Sequence, residues 1–403
     1  MTQMRSDTTM PLADSPATIE TLPIGKLLAF TTAGFLAIMT ETMPAGLLPQ
    51  ISGGLDISAA LAGQMLTLYA LGSVVAAIPV IAATRSWNRR PLLLLAIGGL
   101  FVFNSITALS STVAITLIAR FVAGMAAGVI WGLLAGYARR LAPAHLQGRA
   151  LAVTGIGQPI ALAAGVPLGA WLGMMLDWRA VFWIMSAVAL LLAVWVRLGI
   201  PDHPGQPAAQ RLPIARVAAL PGIASILLVL FAWITGHNIL YTYIAPFLTM
   251  AAPDLRLDMV LLLFGVSAVI GIWATGLLVD RHLRPLTLLS LAGFAGSALL
   301  LSVVTQSPML VLAGIVTWGL TFGGAPTLLQ TALADAAGDN ADVAQSILVT
   351  VFNLAIAVGS VLGGIVVGQG HANLLPYAML TCGAAALIAA LMKLPQCVAA
   401  SVR

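Results

Sequence analysis

Charged side chains are scarce in this sequence: 8% of its 403 residues are Asp, Glu, Lys or Arg, against 60% that are apolar. A soluble globular domain carries about a quarter charged residues, so that class is excluded. Cysteine is nearly absent, and the two present, Cys382 and Cys397, offer neither a metal-ligand spacing nor a disulfide framework. There is no GxxxxGK[ST] phosphate loop, which argues against ATP hydrolysis. Neither HExxH nor a His/Asp cluster stands at the end of an apolar run, so a membrane-embedded enzyme would lack its catalytic group. No effector domain is present for a sensor, and no cofactor or metal is expected.

What the sequence has in abundance is apolar runs of about 20 residues, the length that crosses a ~30 Å hydrocarbon layer. Twelve are expected, at 27–49, 58–83, 91–110, 113–137, 150–175, 180–199, 221–249, 258–279, 285–305, 308–332, 343–368 and 373–394. The fold class expected is therefore an all-α integral membrane protein of twelve transmembrane helices in two six-helix bundles. Residues 1–25 hold three acids and no apolar core before a cleavage site, and read as a tail, not a signal peptide. Lys and Arg divide fifteen to two between the alternate sides, with Arg179 and Arg256 on the poorer side and Arg120 inside a span. By the positive-inside rule both termini are cytoplasmic. The same bias explains the basic pI, so nucleic acid need not be invoked, and a monomer in the lipid bilayer is expected.

The longest interior connection divides the chain into a tail (1–25), a first bundle (26–200), a linker (201–220), a second bundle (221–394) and a final tail (395–403). The halves echo each other: TRSWNRRPLLLL (84–95) joins helices two and three, and VDRHLRPLTLLS (279–290) joins eight and nine. Parallel repeats of this kind are one transporter architecture. In helix four Arg120, Gly124, Gly128, Gly132 and Gly136 share a face, as do Gly157, Ala161, Gly165, Gly169 and Gly173 in helix five. Small residues at this spacing let backbones approach closely in lipid. Static packing and a smooth seam on which bundles rock are both compatible with it.

Two charges lie deep within the spans, Glu41 in the first and Arg120 in the fourth. An ion in hydrocarbon costs several kcal/mol, so it faces a cavity or a partner and usually has a task. At about 1.5 Å per residue, Glu41 lies ~12 Å and Arg120 ~10 Å below the same face, so contact between them is expected. Either they form a permanent pair that positions helices, or Glu41 is alternately protonated and ionised as movement separates them. On helix seven His237 shares a face with Trp233 and Tyr241, beside Asn238. These residues either pack by hydrogen bonding or wall a cavity for planar or amphipathic solutes. Gln64, Asn104, Gln158, Gln330, Asn353 and Trp131 are further lining candidates, the polar ones among them alternatively joining helices by hydrogen bonds.

At specific positions the chain resembles the major facilitator superfamily, and within it the bacterial drug/proton antiporter family that includes sugar and purine-ribonucleoside efflux pumps. GLLVDRHLRP (276–285), with Gly276, Asp280, Arg281 and Arg284, resembles the superfamily's cytoplasmic loop motif. RFVAG (120–124) resembles the helix-four arginine motif of proton-coupled members, and GVPLG (165–169), with Gly165, Pro167 and Gly169, the helix-five antiporter motif. Glu41 followed by GLLP (46–49) and YIAP (243–246) are similar to the first and seventh helices. The resemblance implies export of a small organic solute in exchange for protons by alternating access, with import by proton symport as the alternative, in the bacterial inner membrane. Glu41 and Arg120 would be the coupling residues. In the first half, aligned on Arg89 and Arg90, Arg85 stands where the family has an Asp. Two readings of the aspartates before helix eleven follow: a charge-swapped latch, with Arg85 received by Asp335, Asp339 and Asp342 and Asp280 facing the start of helix five near Arg149, or three solvated loop charges.

Overall fold

A computed structural model describes residues 22–77, 79–84, 86–143, 146–204, 214–303, 307–338 and 341–393; the side chains of residues 77, 81, 82, 148, 214, 215, 280, 341 and 342 are outside that description. Among the described residues there are helices and connections but no strands. Among the described residues twelve helices are long and apolar enough to cross a membrane: α1 (Ile24–Gly46), α2 (Ala59–Ala76), α3 (Arg89–Leu109), α4 (Val113–Leu141), α5 (Arg149–Met175), α6 (Trp178–Gly199), α7 (Ile223–Thr242), α8 (Leu257–Val279), α9 (Arg281–Val303), α10 (Pro308–Ala337), α11 (Val343–Gly368) and α12 (Ala372–Met392). All twelve apolar runs are thus helical spans, and an even number returns the chain to the side it left. That side bears the basic turns and is called the basic end below.

Proline shapes the departures from straight spans. α1 breaks at Leu47 and α7 at Tyr243, each followed by a short helix, Leu48–Leu55 and Ile244–Ala251. Pro49 and Pro246 explain both breaks, since a proline ring collides with the carbonyl four residues earlier and has no N–H to donate. In α5, Ala161–Gly165 is a π-turn two residues before Pro167. A π-turn re-routes the hydrogen bonding that proline interrupts. The expected loop between helices eight and nine is not a loop: α8 and α9 are continuous except at His282, the one residue with non-helical torsions. α10 runs past its expected end at 332, so Asp335 is an exposed residue on a helix and not in a connection.

Helices α1–α6 pack on one another, as do α7–α12; the two sets meet along α2–α11 and α5–α8. Glycine sets the closest approaches. On α4, Gly124 abuts the Tyr69 carbonyl and Gly128 the Ser73 carbonyl of α2. On α10, Gly319 abuts the Phe264 carbonyl and Gly323 the Ala268 carbonyl of α8. Each second-half residue lies 195 positions after its counterpart (Gly319 after Gly124, Phe264 after Tyr69, Gly323 after Gly128, Ala268 after Ser73). The echoed turns, 84–95 and 279–290, begin at the same offset. On α5, Gly157 abuts the Thr31 carbonyl while Gly165, Gly169 and Gly173 receive Met39, Met43 and Leu47 of α1, so the small-residue face of α5 is a groove for α1.

The first residues of the linker belong to the first set. Asp202 accepts from Asn88 Nδ2 at 2.8 Å and from the Arg90 backbone N–H at 3.1 Å, capping the start of α3. Tyr137 donates to the Pro201 carbonyl at 2.7 Å, and Arg140 to that of Pro204 at 2.8 Å. Linker residues 205–213 lie outside the described residues.

Candidate functional site

One turn of α1 collects polar groups from three neighbouring helices. Tyr69 of α2 donates to the Ala37 carbonyl at 2.8 Å. Asn104 of α3, fully buried, donates to Thr40 Oγ1 at 3.0 Å. Arg120 of α4, also fully buried, donates from Nη2 to the Thr40 carbonyl, and its guanidinium lies 4.8 Å from the Tyr69 ring centre and 5.7 Å from that of Phe182. Aromatic faces at that range attract a cation and partly offset its removal from water.

Glu41 comes next on α1. It is 5% exposed and makes neither a hydrogen bond nor an ion pair within 4.0 Å among the described residues. The expected Glu41–Arg120 contact is therefore not made: the depth was right, but Arg120 meets the residue before. The Thr40 carbonyl is open to Arg120 because Pro44, four residues on, has no N–H to donate to it. Arg120 Nε and Nη1 and Asn104 Oδ1 are left buried without partners. The buried cation thus uses part of its donor set and has spare N–H groups one residue from a partnerless carboxyl.

The second half carries rings in place of charges. His237 lies flat on Phe322 of α10, with ring centres 3.6 Å apart and planes at 3°, and is stacked on Tyr241 at 5.0 Å. Trp318 and Phe264 approach His237 at 5.2 and 5.8 Å. Trp233 reaches the same group through Phe322 at 6.4 Å and Phe294 at 6.1 Å. All seven are buried, and the ring nitrogens Trp233 Nε1, His237 Nδ1 and Trp318 Nε1 lack partners. Sequence reasoning found the α7 face but missed Phe264, Phe294, Trp318 and Phe322. The four-residue spacing of Trp318 and Phe322 was the available signal. Tyr69 and Thr40 were missed too, because neither residue type is unusual in an apolar helix.

The other lining candidates divide by what they touch. Asn238 and Asn353 donate to the carbonyls of Ile234 and Val349 in their own helices, each at 2.9 Å. Trp131 and Gln158 are half-buried, and Gln330 is exposed. Gln64 reaches Tyr243 at 3.4 Å, and the Tyr243 hydroxyl also faces the carbonyls of Ser360 on α11 at 3.0 Å and Ala60 on α2 at 3.3 Å. A side chain on Gly63, Gly363 or Gly364 would run into Tyr243, so these glycines form its slot. The two sets of helices are thereby joined at the end opposite the basic turns.

For the expected latch, Arg85 and Asp339 lie outside the described residues, as do the side chains of Asp280 and Asp342. Arg90 donates to the Ile200 carbonyl at 3.3 Å, within its own set of helices. Arg89 is buried, its backbone N–H on the His203 carbonyl at 2.9 Å. Arg281 is exposed, and Arg284 is half-buried.

Twelve spans, a glycine-seamed repeat and polar groups held at mid-span define a multi-pass membrane transporter. The sequence pattern of the Major Facilitator Superfamily matches residues 30–355 and 259–398, and the chain belongs to that family. It is similar to a probable sugar efflux transporter of Helicobacter pylori (strain G27), 28% identical over 85% of this chain and 88% of the relative. It is also similar to the purine ribonucleoside efflux pump NepI of Escherichia coli O157:H7, 30% identical over 81% of this chain and 83% of the relative. Among solved structures, a D-xylose–proton symporter shares the fold with a TM-score of 0.77 at 18% identity, covering 93% of this chain and 98% of the other. The human organic anion transporter MFSD10 does so with a TM-score of 0.70 at 16% identity, covering 92% and 99%.

Proposed function

We propose that this protein sits in the bacterial inner membrane, basic end in the cytoplasm, and exports a small organic solute of the drug, sugar or nucleoside class in exchange for protons by alternating access. The fifteen-to-two division of Lys and Arg supports the orientation. The names of the efflux relatives support export.

The observation that carries the coupling is the spare bonding capacity around Thr40. In this structure Arg120 rests on the Thr40 carbonyl, the arrangement this reading assigns to a protonated Glu41. When Glu41 releases it, the carboxylate draws the free Nε and Nη1 groups of Arg120, because two buried opposite charges avoid the cost of either alone. The guanidinium therefore has two adjacent resting places on α1, selected by the proton. Tyr69 and Asn104 tie α2 and α3 to the same turn and pass the displacement on.

The test is Glu41→Gln in reconstituted vesicles. Gln keeps the shape and cannot load a proton, so solute movement driven by a pH gradient should fall to background. A variant that still transports at the wild-type rate under that gradient removes Glu41 from the mechanism. Uptake into, and not efflux from, the cytoplasm-facing compartment would overturn the direction.

A further inference from the structure

Resting on the exchange reading, the bond between Asn104 and Thr40 points to a further residue in the coupling step. Thr31, Thr32 and Thr42, the other threonines of α1, donate their hydroxyls to carbonyls four residues earlier, at 3.2, 2.9 and 2.7 Å. That is a common use of threonine inside a helix. Thr40 makes no such bond among the described residues; its hydroxyl instead accepts from Asn104 Nδ2 of α3 at 3.0 Å. Its carbonyl, which Pro44 leaves without an intrahelical donor, accepts from Arg120 of α4. Thr40 is thus held twice from outside its own helix, by α3 through its side chain and by α4 through its backbone.

Packing alone does not account for Asn104. It is fully buried with Oδ1 unpaired, and an apolar residue would fill the space without stranding a polar atom there. What the amide provides is a grip on residue 40. Threonine is stiff about its first side-chain torsion, so holding Oγ1 holds the turn of α1 at that point. The direction of the Thr40 carbonyl, and of Glu41 beside it, follows. The other titratable groups at this turn are Tyr69 of α2 and Arg120 of α4. On α7, His237 and Tyr241 are taken up in the ring stack, and the acids and bases of α3, α5, α6 and α8 stand near helix ends.

We propose that Asn104 is a positioning residue for proton binding: by fixing the Thr40 hydroxyl it keeps the Thr40 carbonyl turned to Arg120, and so holds the guanidinium off Glu41 while Glu41 is protonated. Asn104 touches neither the proton nor its carrier and acts through Thr40 and Arg120.

Infrared spectra of the purified full-length protein in liposomes, recorded as the pH is stepped, follow the protonated carboxyl band of Glu41, assigned by its loss in Glu41→Gln. Asn104→Leu keeps the size and removes the amide. Arg120 is then freer to reach Glu41, the carboxylate is favoured, and the proton leaves at lower pH. The midpoint should move to acid by about one pH unit, a tenfold change and roughly the worth of one net hydrogen bond. Thr40→Val removes the same bond from the other side and should give the same shift, with no further shift in the double variant. Thr40→Ser returns the hydroxyl and should return the midpoint. In an Arg120→Met background Asn104→Leu should move nothing, because Asn104 acts through Arg120. If Asn104→Leu does not fold, Thr40→Val, which keeps the shape of the side chain, decides the matter. A midpoint unmoved or moved to alkali, additive shifts, or an equal shift without Arg120 would overturn the proposal. A purely structural Asn104 would lower the melting temperature and leave the midpoint alone. Acid-shifted midpoints in a protein without proton-driven transport would sink the exchange reading and leave this inference standing. Proton-driven transport with an unmoved midpoint would do the reverse.

Discussion

Arg120 and Ile315 occupy matching places in the two halves, 195 positions apart, and both are fully buried. Their neighbours match as well: Tyr69, whose ring faces Arg120, corresponds to Phe264, which packs on Trp318 at 4.8 Å. The backbone frame is the same, down to glycines against equivalent carbonyls. What differs is the filling: a cation with spare donors in the first half, stacked rings with unpaired nitrogens in the second. A repeated frame needs only small residues at fixed contacts, so the side chains between them are free to diverge. One half holds the buried cation and the other the stacked rings.

The largest effect comes from copying the second half into the first. Arg120→Met removes the charge and keeps length and apolar surface, as the Ile315 environment does. Burying a guanidinium that is only partly hydrogen-bonded works against folding, and apolar replacement of buried ions is often neutral or stabilising. Unfolding free energy in detergent should therefore stay within ~1 kcal/mol of wild type or rise, while proton-coupled transport is lost. A loss above ~2 kcal/mol would show that Arg120 is held for stability, and retained coupling would show that the first half is not the charge site.

The shared frame is tested by crowding it on both sides. A methyl group at Gly124 meets the Tyr69 carbonyl, and one at Gly323 meets the Ala268 carbonyl. Backbone cannot step aside as a flexible side chain does, so Gly124→Ala and Gly323→Ala should each cost about 1–3 kcal/mol. Gly136 has nothing within 4 Å of the added carbon and is the control. There alanine should gain ~0.5–1 kcal/mol from helix propensity alone. Thermal melts that rank Gly136→Ala with the other two would dissolve the equivalence of the halves.

Spans and seams were legible because hydrophobic length and four-residue glycine spacing are local properties of the chain. The level of Glu41 and Arg120 was legible for the same reason, since depth follows from counting residues. Their partnership was not: whether Arg120 meets Thr40 or Glu41 depends on how α1 is turned about its axis, which is set by α5's groove and by Asn104 and Tyr69. The aromatic cluster draws on four helices and has no signature along the chain beyond the α7 face. The α8–α9 joint was read as a loop because Asp280, Arg281 and Arg284 are polar, yet one non-helical residue suffices to turn there.

The smallest expected effect lies where the halves touch. The Tyr243 hydroxyl has one hydrogen, shared between carbonyls of α2 and α11, and it can accept from Gln64. At 3.0–3.4 Å these are ordinary to long hydrogen bonds. Tyr243→Phe leaves the ring in its slot of Gly63, Gly363 and Gly364 and removes the hydroxyl alone. The closed arrangement at this end should lose about 1 kcal/mol, roughly the net worth of one hydrogen bond, and its population relative to the open one should fall about fivefold. A cysteine placed at Gln64 should then label faster with a membrane-impermeant thiol reagent, in a background lacking Cys382 and Cys397. Because the effect acts on the contact between halves and on neither filling, the Arg120 environment should be untouched. Equal labelling rates with and without the Tyr243→Phe substitution would mean that ring packing, not the hydroxyl, holds this end shut.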